Sequence, residues 1–219
     1  MGLFGSRSKS SELGSNAARA TRHSSGWLQI SKYLSTGGSY RVLDFGPTSA
    51  GNINLITNMG HSIYMVNLVD EAARPEYLLP PVEGEPAAFD TDRFLAESCD
   101  FQGRVFDVVL LWDTLDYLPR ELVQPVTDRL FQAMAPLGQL LAIFHSSATP
   151  GTTAKPTAED LTFSRYHLTD TATLELQRIG GRQLKGTYTN RQVEAFFHLY
   201  AGYKFFLAKD ALREVIVTR

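Results

Sequence analysis

The chain has 219 residues, 43% hydrophobic and 20% charged, which supplies a sizeable core and excludes a chain disordered throughout. Its 21 basic and 23 acidic side chains nearly cancel, so the whole-chain charge gives no signal for nucleic acid or an anionic membrane. A single cysteine, Cys99, excludes an internal disulfide and leaves no zinc-ligand spacing with the five histidines. No run of about 18 apolar residues and no signal-peptide core is present, so the expectation is a cytoplasmic protein with no transmembrane segment.

Residues 1–25 carry Arg7, Lys9, Arg19 and Arg22 against Glu12, a formal +3 that leaves −5 for the remainder of a chain totalling −2. Residues 1–15 therefore read as a disordered basic tail. Gly2 with Ser6 matches a myristoylation template, a short pattern that also arises by chance. Residues 16–38 read as a helical extension, because Trp27, Ile30 and Leu34 recur at helical spacing before Gly37 and Gly38.

From Tyr40 the periods alternate. Tyr40–Phe45 is a short apolar strand ending at Gly46, and Ile53, Ile56 and Gly60 give a helix face. His61–Asn67 is a second strand, and a Pro-rich stretch from Arg74 to Pro86 leads to a weak third at Ala87–Phe89. A short helix around Arg93–Ser98 precedes Phe106–Leu111, whose continuous apolar run fits a central strand buried on both faces. Val123, Val126, Leu130 and Met134 mark a helix stopped by Pro136 and Gly138, before a fifth strand at Gln139–Phe144. This β-α alternation predicts a parallel sheet.

After His145, Ser146–Pro156 reads as a long loop. Thr173–Arg178 and Gln183–Tyr188, around Gly180 and Gly181, read as an added hairpin within a region of about 161–188. Thr189 and Gln192 have capping-box spacing, opening a helix whose inner face is Val193, Phe196, Phe197 and Tyr200. Tyr203–Ala208 and Arg213–Thr218, joined by Lys209 and Asp210, read as a closing antiparallel hairpin.

In such a sheet the ligand crevice lies beyond the carboxyl ends of the strands, where strand order reverses. Asp44–Asn52, with Gly46, Pro47, Thr48 and Gly51, is a glycine- and hydroxyl-bearing turn opening a helix, whose free N–H groups suit a polar or anionic group. In this turn, in Gly60-His61 before the second strand, in Phe106-Asp107 running into Trp112-Asp113, and in Ala135–Gly138 before the fifth strand, the chain resembles the class I S-adenosylmethionine-dependent methyltransferases. The resemblance covers residues 40–219. It implies a Rossmann-like α/β fold: a mostly parallel seven-stranded sheet flanked by helices and ending in an antiparallel hairpin, in one domain over residues 39–219.

The resemblance further implies S-adenosylmethionine as cofactor, methyl transfer to a small-molecule or protein acceptor, and site residues. Asp44 and Gly46, with Pro47, Thr48 and Gly51, would flank the methionine moiety. Asn67 and Leu68 would meet the ribose, Asp90 or Asp92 the adenine amine, and Trp112 and Asp113 the pocket floor. Two features depart from the family pattern: Thr48 and Ala50 stand where its second and third glycines belong, with Gly51 one place late, and Asn67 stands where a ribose-binding carboxylate belongs, with Asp70 three residues on. Each acidic residue here also suits a helix cap. Methyl transfer from a sulfonium is an in-line displacement that needs positioning first, so no obligatory triad is expected. His145, ending the fifth strand, is the best candidate base, ahead of Asp116, Tyr117 and His167. Cys99 reads as a small buried side chain. The alternative is a methyltransferase-like domain without turnover, serving as a binding or scaffold protein, as Thr48, Ala50 and Asn67 would suit. A nicotinamide-binding domain fits less well, because no Gly-x-Gly-x-x-Gly occurs.

Overall fold

A computed structural model of the chain describes residues 19–80, 88–146, 161–207 and 210–219. The expected basic tail, the myristoylation template and nearly all of the 146–156 loop lie outside the described residues.

The main sheet is built from β2 (Arg41–Asp44), β3 (Ser62–Met65), β4 (Phe106–Trp112), β5 (Met134–His145), β8 (Gly202–Leu207) and β9 (Leu212–Thr218), in the order β3-β2-β4-β5-β9-β8. The first four are parallel, β9 is antiparallel to β5, and β8 is antiparallel to β9. This is the Rossmann-like, class I methyltransferase-like arrangement that the sequence implied, with its closing hairpin. Strand order reverses between β2 and β4, so the crevice position falls at the carboxyl ends that carry Asp44 and Trp112.

β4 sits centrally because all but one of its seven residues are buried. Val108, Leu110 and Trp112 face one layer with α1 (Ser25–Leu34) and α2 (Ala50–Asn58). Phe106, Val109 and Leu111 face the other, where α4 (Thr91–Ser98), α5 (Thr114–Tyr117), α6 (Arg120–Ala133) and α7 (Asn190–Phe196) lie. A four-residue helix, α3 (Leu68–Glu71), follows β3. The capping box at Thr189 and Gln192 is present, and of the expected inner face Val193, Phe197 and Tyr200 are buried while Phe196 is half-buried.

Four expectations need correction. The sheet has six strands among the described residues, not seven: Phe89 makes only an isolated antiparallel bridge to Leu78. Its ring stacks on Tyr77 and meets Phe94 edge-on, and Asp90 immediately begins a helix cap; Ala87, the expected start of that strand, lies outside the described residues. The fifth strand starts at Met134, because Pro136 and Gly138 lie within β5 rather than in a turn before it. The N-terminal extension holds a strand, β1 (Arg19–His23), ahead of its helix. The added hairpin pairs β6 (Ser164–Leu168) with β7 (Thr173–Arg178), and β1 joins the other side of β7. Its turn is drawn together by the Thr169 hydroxyl, which contacts Thr171 and Thr173. Gly180 and Gly181, both at positive φ, lead the chain out of the sheet, and Gln183–Tyr188 forms no strand.

Candidate functional site

The crevice is assembled where β2, β4 and the start of α2 converge. Asp44 ends β2 fully buried, and its Oδ1 accepts from Gly46 N at 3.1 Å and from Trp112 Nε1 at 2.6 Å. Its Oδ2 and the Thr48 hydroxyl have no hydrogen-bond partner among the described residues. Burial raises the Asp44 carboxyl above its usual range.

Trp112 determines what space remains. Its backbone is at φ 53°, a left-handed conformation uncommon for a bulky residue. The indole lies against Gly46: a Cβ added there would stand 2.5 Å from Trp112 Cδ1 and 3.0 Å from Nε1. On its other side the indole stacks on Tyr166, with ring centroids 5.0 Å apart and planes within 2°. Both rings are buried.

β6 covers the turn that follows. Arg165 Nε donates to Pro47 O at 3.0 Å, and His167 Nδ1 lies 3.0 Å from the Ser49 hydroxyl. Asn52, buried in the first turn of α2, donates to Tyr166 O at 2.9 Å and accepts from Leu168 N at 2.8 Å. Ser49 caps α2 by accepting from Asn52 N. Gly51 is exposed, and a Cβ there would meet only the Ser49 hydroxyl, at 3.6 Å.

The remaining residues implied for the cofactor are engaged locally. Asn67 caps α3, with Nδ2 donating to Asp70 Oδ2 at 2.5 Å. Asp90 caps α4 by accepting from Arg93 N at 3.1 Å, and Asp92 lies in that helix's first turn. Leu68 is fully buried in the core. Thus Asp44, Gly46, Trp112 and Asp113 converge, while Asn67 and Asp90 stand at the starts of α3 and α4. At this turn the Trp112 indole packs on Gly46, and β6 lies over Pro47 and Ser49.

Beyond Trp112 lies a buried polar group. Asp116 Oδ2 accepts from the His145 backbone N at 2.6 Å and sits 2.9 Å from its Nδ1. His145 Nε2 lies 4.0 Å from Asp113 Oδ2, and Tyr166 donates its hydroxyl to the same Asp113 oxygen at 3.1 Å. Burial, reinforced by Asp116 and opposed by His145, pushes the Asp113 carboxyl up to about 6. Asp116 is raised by burial too. Of the weaker candidates, Tyr117 donates to Leu161 O at 3.1 Å. His167 is bound between Ser49 and Gln177, its pKa lowered by burial. Cys99 is buried, its thiol pushed up to about 12, which makes it inert.

The sequence reading missed Arg22, Glu214, Asn52 and Tyr166. Glu214, buried on β9, pairs with Arg22 and accepts from Gly26 N at 2.6 Å, and Arg22 Nε also meets Asp210 at 2.9 Å. This ties β1 to β9. The available signal was Asn52, a polar residue on the apolar face of its helix.

No protein-family model and no curated protein sequence matches the chain. Among solved structures it is similar to an O-methyltransferase family protein from Burkholderia thailandensis, at 13% identity and a TM-score of 0.44, covering 88% of this chain and 55% of that one. It is also similar to the 1,6-didemethyltoxoflavin-N1-methyltransferase of the same organism, crystallised with S-adenosylhomocysteine: 14% identity, TM-score 0.45, 89% of this chain and 78% of that one. A SAM-dependent methyltransferase from Methanosarcina mazei gives 12% identity and a TM-score of 0.49, over 86% and 96% of the two chains. The chain thus spans about half the length of the first of these.

Proposed function

We propose that this chain is a methyltransferase-like domain that works as a binding or scaffold protein, without methyl transfer in the crevice between β2 and β4. The observation that carries this reading is the Trp112 indole against Gly46, held by Asp44 on its edge and Tyr166 on its face. A sulfonium must be held in line with its acceptor for displacement to occur, and the indole packed on Gly46 leaves no room for even a methyl group at that position. Opening the crevice breaks a hydrogen bond to a buried carboxyl and an aromatic stack, together about 2–4 kcal/mol, before the bonds that hold β6 over the turn are counted.

The test is calorimetric titration of the chain with S-adenosylmethionine and S-adenosylhomocysteine, paired with thermal melts. The expected result is no saturable heat and no shift at about 1 mM ligand. A micromolar Kd, equivalent to about 8 kcal/mol, would overturn the reading. The second reading is a methyltransferase whose crevice opens, favoured by the φ of 53° at Trp112, since strained residues cluster at functional sites. It requires that micromolar binding, and its acceptor would then be sought among small molecules and proteins.

A further inference from the structure

At the amino end of β4, opposite the crevice, a cavity of about 180 Å³ lies between the loop from Asp100 to Val105 and the end of α6. Phe101, Val105 and Ala133 give it apolar walls, and its charged walls are Arg104, Arg129 and Asp100. It holds roughly six waters, or a small organic molecule of similar size. None of these residues belongs to the crevice, so the cavity is independent of the function proposed above.

Both arginines are held in place without an acidic partner among the described residues. Arg104 ends a tight turn closed by its own N–H, which donates to Phe101 O at 2.9 Å, with Gln102 at φ 53° and Gly103 at φ 71°. A left-handed residue other than glycine is uncommon, and here the Gln102 side-chain oxygen accepts from Arg104 Nη1 at 2.9 Å. The Arg104 guanidinium also lies over the Tyr64 ring, 5.3 Å from its centroid. Arg129 Nε donates to Cys99 O at 3.1 Å, closing the carboxyl end of α4. That bond leaves the two terminal nitrogens of Arg129 without a partner among the described residues. Asp100, the carboxylate among the walls, accepts from Gln102 N at 2.8 Å. The other acids nearest in sequence are engaged elsewhere: Glu97 with Arg93, Asp107 with the Arg41 backbone N, and Asp128 with Gln124. The walls thus carry two positive charges against one negative.

We propose that this cavity binds a small organic anion, its carboxylate or phosphate between Arg104 and Arg129 and its apolar part against Phe101 and Val105. A guanidinium presents its N–H donors in a fixed fork that matches the oxygens of such a group, and the charge makes each bond stronger than a neutral one. Because Gln102, Tyr64 and Cys99 already hold the two side chains, little rotamer freedom remains to be lost on binding. Apolar walls with a few convergent polar groups are the general form of small-molecule sites.

The test is titration of the isotope-labelled chain with butyrate and methyl phosphate, beside neutral 1-butanol and cationic butylammonium, followed by amide chemical shifts in NMR. The expected result is saturable shifts at Phe101–Val105 and Gln132–Ala133 with at least one anion, and the tighter of the two anions tells carboxylate from phosphate. Arg104→Met and Arg129→Met keep an apolar stem and remove the charge, and each should weaken binding about tenfold or more, as loss of a charged hydrogen bond implies. Arg104 is exposed, so its variant reads the charge without disturbing the end of α4. No saturable binding of either anion, equal binding of butanol or butylammonium, shifts centred away from this loop, or binding unchanged in Arg104→Met would overturn the site.

Discussion

Truncating Trp112 to alanine measures how firmly the crevice is closed. The indole is 2% exposed, and removing a buried tryptophan costs about 3–5 kcal/mol in lost transfer energy and residual cavity. Two specific contacts place this site in the middle of that range or above. The stack on Tyr166 is worth about 0.5–1.5 kcal/mol beyond area, and loss of the Nε1 bond leaves Asp44 Oδ1 with Gly46 N as its partner. Alanine at φ 53° gains no relief of backbone strain, because that conformation disfavours any side chain. A cost of about 4 kcal/mol corresponds to a Tm lowered by about 8–16 °C in a chain of this size. Urea unfolding followed by circular dichroism gives the cost directly. The companion variant is Trp27→Ala: that indole is also buried, donating to Thr169 O at 2.9 Å, but lies away from Gly46. Both should lose comparable stability, while the Tyr166 near-ultraviolet signal should change far more in Trp112→Ala. A cost below about 1 kcal/mol at Trp112 would refute the packed plug, since it would mean the indole already leaves Gly46 freely.

Asn52→Ala removes the partner of both Tyr166 O and Leu168 N, and unmet buried groups cost about 1–3 kcal/mol; hydrogen exchange at the Leu168 amide should accelerate while the β4 amides stay protected. Glu214→Ala strips Arg22 of its buried partner and leaves Gly26 N unmet, with an expected loss of about 3–5 kcal/mol in denaturant unfolding. Asp113 titrates at about 6 when folded against 3.8 as its ordinary value, which at 1.36 kcal/mol per unit is about 3 kcal/mol. Because the folded value is the higher, the native state binds the proton more tightly, and its stability falls as pH rises from about 4 through 6. Asp113→Asn should therefore gain stability over the parent across that window and match it near pH 4; parallel urea curves at pH 4, 5, 6 and 7.5 would contradict this if their difference stayed constant.

The parts of the fold legible in the sequence are those fixed by local pattern. The apolar run of β4 can be buried on both faces only at the centre of a sheet, and Thr189 with Gln192 closes a capping box whatever surrounds it. β7 is legible as Thr173–Arg178, but its hairpin partner is not: β6 lacks such a signature, and it is held by threonine side-chain contacts across the turn and by what it meets on α2. β1 is legible still less, since its pairing with β7 spans more than 150 residues and its anchor is the ion pair of Arg22 with Glu214. At the site, the sequence places Trp112 correctly at the end of β4. What it does not carry is the backbone dihedral, and that angle decides whether the indole lines a pocket or fills it.

The small sheet and the plug act on one another. Tyr166 is the shared member: its ring holds Trp112 against Gly46, its hydroxyl holds Asp113, and its carbonyl accepts from Asn52. Moving the indole therefore disturbs β6, and lifting β6 breaks bonds to Pro47, Ser49 and Asn52 together. On its far side the sheet is fastened through β1, where Arg22 reaches Glu214 on β9 and Asp210 just before it. A ligand entering the crevice would have to displace these contacts together. Removal of Glu214 tests that coupling: loosening β1 should make β6 easier to lift, read as faster hydrogen exchange at the Leu168 amide.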